Sequence, residues 1–159
     1  MKHFYLYSDR VEIIISNGNK HIVYFNEYSG RIYYRHKINT ISNVRHPGIF
    51  LGTDRNKQRW YFHNHFENGH PVIEIEQGFS KGQKLYVDER QSSLGRLVTI
   101  ENALNEVLDR KAYDWLDNNC QSFVNRICFN QNRSEAIENW TAGILTGLLL
   151  IAGFKASGN

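Results

Sequence analysis

Apolar and polar residues fall into two regimes along the chain. The first half consists of short strand-like runs rich in β-branched and aromatic residues. "VEIIIS" (11–16) and "KHIVYF" (20–25) flank Asn17-Gly18, a dipeptide that favours the φ > 0 turns of a tight hairpin. "RIYYRH" (31–36) follows the turn residues "NEYSG". A second β section reads "RHPGIFLG" (45–52), "RWYFHNH" (59–65), "PVIEIE" (71–76) and "QKLYVDE" (83–89), with Gly- and Asn-bearing turns between the runs. The pattern predicts a β-meander over residues 1–43. No run recurs at a fixed spacing, which excludes a solenoid or propeller.

The period then changes to that of a helix. In "TIENALNEVLDR", Ile100, Ala103, Leu104, Val107 and Leu108 follow the i, i+3, i+4, i+7, i+8 rule of one helical face. Thr99 is the expected N-cap, with Glu101 in the first turn. Cys120, Phe123, Val124, Ile127 and Cys128 repeat that spacing, with Asn118 or Asn119 placed to cap. Asn132 and Glu135 suggest a third helix start near Ser134. It leads into "WTAGILTGLLLIAGF", fifteen residues from Trp140 to Phe154 without a charge. That run is shorter than the ~20 residues of a membrane span, and it contains Gly143-x-x-x-Gly147, a spacing that lets helices approach closely. Strands followed by helices predict an α+β single domain over 1–159, with a hydrophobic helix over 134–155 that either packs in the core or anchors the chain to a membrane.

Composition narrows the class. Nine Tyr, nine Phe and three Trp with two Pro describe a folded, strand-rich chain. A net charge of +3 with no long basic run leaves no electrostatic footprint for nucleic acid. It is compatible with an anionic membrane surface. "MKHFYLYSDR" is interrupted by Asp9 and Arg10 before an apolar signal region can form. In a helix, Cys120 and Cys128 lie about 12 Å apart along the axis, beyond disulfide reach. These features predict an intracellular protein, cytoplasmic or membrane-associated.

Cys120 carries the candidate chemistry. A thiol attacks as thiolate, and the first turn of a helix favours that anion through its dipole and unpaired N–H groups. The same amides stabilise an oxyanion. Cys128, two turns on, has neither advantage. A nucleophilic cysteine needs a base and a group that orients it. His46 heads a strand-like segment, and in "RWYFHNH" Tyr61, His63 and His65 share one strand face. "His63-x-His65" with His70 offers histidines but no Cys or acidic cluster at ligand spacing, so neither a metal nor another cofactor is expected.

In combination these motifs resemble the lecithin:retinol acyltransferase-like family, circularly permuted relatives of NlpC-type, papain-like cysteine peptidases. That family pairs a His-x-x-Ile-Tyr-x-Gly strand with a downstream Asn-Cys-Glu-His-Phe-Val-Asn helix. Here the first stands as His46-Pro47-Gly48-Ile49-Phe50-Leu51-Gly52, and the second as Asn119-Cys120-Gln121-Ser122-Phe123-Val124-Asn125. Gln121 and Ser122 replace Glu-His, and Gly30-Arg31 is the nearest approach to the family's strand-opening Gly-Asp. The resemblance covers roughly residues 44–154. It implies a catalytic core over 44–133, a small antiparallel sheet packed on the cysteine-bearing helix. It also implies His46 as base, His63 as the residue that orients it with His65 as alternative, and site contacts from Asn119 and Gln121.

The activity so implied is a thiol acyl hydrolase or acyltransferase, phospholipase-like, acting on lipid esters through a Cys120 thioester. Its partners would be an acyl-ester lipid and a membrane surface. Two other readings stay open: a cysteine peptidase or amidase of the NlpC type, and a non-catalytic interaction protein that keeps the His and Asn-Cys motifs.

Overall fold

A computed structural model describes residues 3–15, 18–36, 45–65, 67–114 and 119–131. The chain is α+β, and the described residues form one antiparallel sheet of eight strands and three helices. The strands are β1 (His3–Leu6), β2 (Arg10–Ile14), β3 (Lys20–Tyr24), β4 (Ile32–His36), β5 (Arg45–Asp54), β6 (Arg59–His65), β7 (His70–Ile75) and β8 (Tyr86–Val87). The helices are α1 (Glu76–Ser80), α2 (Arg96–Asp109) and α3 (Cys120–Phe129).

β5 organises the sheet. At ten residues it is the longest strand described. Along one edge it pairs first with β4, from Arg45↔His36 to Ile49↔Ile32, and then with β3, through Thr53↔Tyr24 and Asp54↔Val23. Along the other it pairs with β6, which passes the sheet on to β7. A bulge between Phe50 and Gly52 inserts an extra residue opposite β6. Gly52 is required there because a Cβ on it would lie 2.2 Å from the Tyr24 carbonyl oxygen. The meander expected over 1–43 holds for β1, β2 and β3. β4 departs from it, leaving β3 to pair with β5 and β8 instead. "QKLYVDE" forms only the two-residue β8.

Each face of the sheet has its own core. On one face, Val11, Ile13, Val23, Ile32, Ile49, Leu51, Phe62 and Ile73 meet α2 and α3. On the other, Tyr33, Phe50 and Tyr61 meet Phe79 of α1. The alternation along β5 and β6 thus divides Ile49 from Phe50 and Phe62 from Tyr61, as a period of two requires.

The helices follow the sequence pattern with two corrections. α2 begins at Arg96 behind Gly95, so Thr99 is not its N-cap; its hydroxyl donates back to the Gly95 carbonyl. Ile100, Ala103, Leu104 and Val107 are buried as expected, whereas Leu108 is exposed. In α3 all five periodic positions are buried. Arg126 holds α3 to α2 through a two-pronged pair with Glu106, Nε to Oε1 at 2.9 Å and Nη2 to Oε2 at 2.8 Å. The expected helix over 134–155 lies outside the described residues, as does the hairpin residue Asn17. No helix among the described residues is long and apolar enough to cross a membrane.

Gly52→Ala is expected to lower stability by about 1–3 kcal/mol, because the new methyl group meets backbone and not a movable side chain. Urea unfolding measures this. A midpoint equal to wild type would mean that the bulge opens at no cost.

Candidate active site

The site is built where β4, β5 and β6 run side by side. Their registers set Arg35 opposite His46 and continue His46 toward β6. His46 and His63 are each only 1% exposed. Their rings meet with Nε2 of His46 3.2 Å from Nδ1 of His63. On its far side, His63 Nε2 lies 3.3 Å from Oε2 of Glu74 on β7. Asn68, in the turn between β6 and β7, donates to Oε1 of the same carboxylate at 3.3 Å. His46, His63 and Glu74 therefore form a hydrogen-bonded chain across three neighbouring strands.

The direction of this chain follows from its acid end. The hydrogen bond from His63 holds the Glu74 carboxyl below its ordinary range, against the opposing effect of burial. An ionised Glu74 only accepts, so His63 carries its proton on Nε2 and presents Nδ1 as acceptor. His46 then donates from Nε2. Its Nδ1 becomes the basic nitrogen of the pair.

His65 occupies a different position. Its ring packs edge-on against His46, with centroids 4.9 Å apart, and its Nδ1 accepts from the Glu67 amide at 3.3 Å. Burial pushes its pKa down to about 4, further than the Glu67 carboxylate restores it. It is an uncharged neighbour of His46 near neutrality, and His63 is hydrogen-bonded to His46.

Phe79 closes this face. Its ring lies 5.8 Å from His46, 5.3 Å from His63 and 4.8 Å from Tyr61, stacked on the last. Gly48 makes room for it, since a Cβ there would come within 2.7 Å of the ring. α1 itself is held by Glu76, which pairs with Arg59 at 2.9 Å and accepts from the Tyr61 hydroxyl at 3.3 Å.

Cys120 is the first residue of α3, buried and not in a disulfide. α3 packs on β5 and β6, the strands that carry the histidines, on the face of Ile49 and Phe62, whereas the histidines lie with Phe50, Tyr61 and Phe79 on the other. Asn119 caps the helix, its carbonyl oxygen accepting from the amides of Gln121 at 2.9 Å and Ser122 at 3.0 Å. The cap therefore takes two of the first-turn amides that sequence reasoning assigned to a thiolate or oxyanion. The thiol lies within electrostatic range of Arg35 and of Tyr113. Burial, with Cys120 and Asp114 adding to it, pushes the Tyr113 hydroxyl up to about 12, so it stays protonated. Cys128 is fully buried, and burial pushes its thiol up to about 12 as well.

Gln121 borders a cleft of about 330 Å³ whose other walls are Arg45, Pro47, Asp88, Glu89 and Arg90. Its lining is polar and carries both signs of charge. Among the described residues no group of three His, Cys, Asp or Glu side chains is arranged to hold a metal ion.

Glu74 and Arg35 are site residues that sequence reasoning did not single out. Glu74 was legible only as the polar position of "PVIEIE", and its partner is eleven residues away on another strand. Comparison with protein-family models, with curated proteins and with solved structures finds no match. The functional reading rests on the geometry of the site and on its motifs.

The depressed pKa of His65 has a consequence for stability. The unfolded chain takes up a proton near the ordinary histidine value of about 6.5, whereas the folded protein resists it until about 4. Stability is full above the first value and falls as pH drops through the window between them, by up to about 3 kcal/mol less solvent screening. Glu74, whose folded pKa is also lowered, adds its own loss at lower pH still. Urea midpoints at about pH 7.5 and about pH 4.5 should differ more in wild type than in His65→Gln. Equal differences would show that His65 is not the titrating group.

Proposed function

We propose that the protein is a cysteine-dependent acyl-transfer enzyme with Cys120 as nucleophile, His46 as base and His63 as the residue that orients the base. The observation that carries this reading is the buried chain from His46 through His63 to Glu74, set on the strands against which the Cys120 helix packs. In this reading the fold is a permuted papain-like, NlpC-type arrangement, in keeping with the ordered His46 and Asn119-Cys120 motifs.

Nδ1 of His46 takes the proton from the Cys120 thiol, and the thiolate attacks the carbonyl carbon of an ester or amide. As His46 becomes imidazolium, its Nε2–H bond to His63 strengthens and the ionised Glu74 offsets the new charge through the His63 ring. His46 returns the proton to the departing alcohol or amine, leaving a Cys120 thioester. Water, deprotonated by His46, then releases a carboxylic acid, or an acceptor hydroxyl or amine takes the acyl group. The preferred acyl donor is a lipid ester, the substrate class implied by the motif pair. No metal or cofactor enters this sequence.

One observation favours a second reading. The cleft beside Gln121 is lined by Arg45, Asp88, Glu89 and Arg90, which suits a charged peptide or amide better than an acyl chain. In that reading the same three residues hydrolyse an amide, and the enzyme is a peptidase or amidase.

Intact-protein mass spectrometry after incubation with mixed phospholipid vesicles separates the two. An acyl-sized gain on wild type and none on Cys120→Ala, accompanied by lysolipid, is the expected result. An adduct or cleavage seen only with soluble peptides would move the protein to the second reading, and no thioester with either would end both. Among variants, His46→Ala should lower turnover about 10²–10⁴-fold, the usual contribution of a general base. Glu74→Gln should cost less and raise the KM little, while shifting the acid limb of the pH–rate profile. An unshifted limb would remove Glu74 from the relay.

A further inference from the structure

We propose that Gly78 of α1 and Asn68 of the β6–β7 turn are positioning residues of the relay, which together seat the Glu74 carboxylate where it accepts from His63. The inference deepens the reading of His46 as base: it rests on that reading and names what fixes the direction of the hydrogen-bonded chain.

Glu74 is the member of the chain that most needs to be held. His46 and His63 are each 1% exposed, whereas the Glu74 side chain is 29% exposed. A carboxylate on a flexible stem gains hydration by turning outward, and ordering that stem carries an entropic cost. Two elements hold it in place.

The first is α1. β7 ends at Ile75 and α1 begins at once with Glu76, so the chain brings Gly78 back against the Glu74 side chain. A Cβ on Gly78 would run into Oε2, the oxygen that faces His63 Nε2 at 3.3 Å. It would also come within 3.2 Å of the Glu74 Cδ and 3.3 Å of its Cβ. Gly78 is not among the glycines with positive φ, and glycine inside a helix is less stable than alanine. The backbone does not call for glycine at this position; the carboxylate does.

The second element is the turn between β6 and β7. Asn68 Nδ2 donates to Oε1 at 3.3 Å. The turn is itself closed, because the His65 carbonyl accepts from the amides of Asn68 at 3.1 Å and Gly69 at 3.2 Å. With Oε1 engaged by Asn68, Oε2 is the oxygen turned to His63. That acceptor keeps the His63 proton on Nε2. With Glu74 displaced, both tautomers of His63 are open and the chain can reverse. His63 then donates from Nδ1 to Nε2 of His46, and the His46 proton sits on Nδ1, where the base is needed.

The test is long-range proton–nitrogen correlation NMR of the histidine rings, taken at about pH 8.5, well above the ordinary histidine value of about 6.5. The His63 signals are assigned by their absence in His63→Gln. The methyl group of Gly78→Ala meets the end of a movable side chain, and alanine is the better helix former, so this variant should fold with Glu74 pushed off His63. Asn68→Ala removes the donor to Oε1. Wild type should show a single tautomer, protonated on Nε2. Each variant should lose that pattern, its two nitrogen shifts moving toward one another as the tautomers exchange. A wild-type pattern in Gly78→Ala overturns the proposal, as does a wild-type His63 protonated on Nδ1. If Gly78→Ala does not fold, Asn68→Ala decides: a lost pattern supports the seat and a wild-type pattern rejects it. The readout needs no substrate. Absence of a Cys120 thioester would therefore reject the functional reading while the tautomer of His63 still decides this one.

Discussion

β5 is the constraint on which the site depends, because it is paired with β4 beside His46 and with β6 from Ile49 onward. One edge brings Arg35, the other leads to His63 and His65. Side chains alternate across a strand, so a slip of one residue in either pairing would turn His46 or its partners to the opposite face. The bulge lies beyond Phe50, toward the end that supports β3. Residues 45–50 therefore keep a regular register, and the irregularity is confined to the part of the strand that carries no site residue.

The polar groups gathered there would be a liability if they were merely buried. Instead the histidines answer one another, Glu74 receives both His63 and Asn68, and Arg35 is received by two carbonyls. Phe79 packs against both imidazoles of this network, and in such buried surroundings their electrostatic interactions are strengthened. A single aromatic ring thus serves both as core for Tyr61 and Phe50 and as the floor under two imidazoles. Gly48 and Phe79 form a complementary pair in this sense, with the absence of a side chain on β5 matched by the ring from α1.

The parts of this arrangement that were legible in sequence are those set by local rules. Alternation in "RWYFHNH" placed His63 and His65 together on one face, and the helical period around Cys120 identified five of the seven buried positions of α3, missing Ser122 and Asn125. Residue type left the cap between Asn118 and Asn119, and it is Asn119. What the pattern did not reveal depends on pairings distant in sequence. Arg35 reads as a solvent-exposed charge in "RIYYRH" until β4 is seen to leave β3 for β5. α1 is five residues, "EQGFS", too short to show a period, so Phe79 gave no sign of closing the site. The start of α2 was placed late because Gly95, with φ of 79°, begins the helix without a side-chain cap.

The sequence separations within the site also order its assembly. The His46–His63 and His63–Glu74 contacts span seventeen and eleven residues, distances closed by neighbouring hairpins. The bond from Arg35 to Phe79 spans forty-four, and β4 meets β8 across a similar stretch. Contacts of long range form late, because the loop they close must be ordered first. A nascent or partly folded chain would therefore carry its histidine pair before Arg35 and Phe79 close over it.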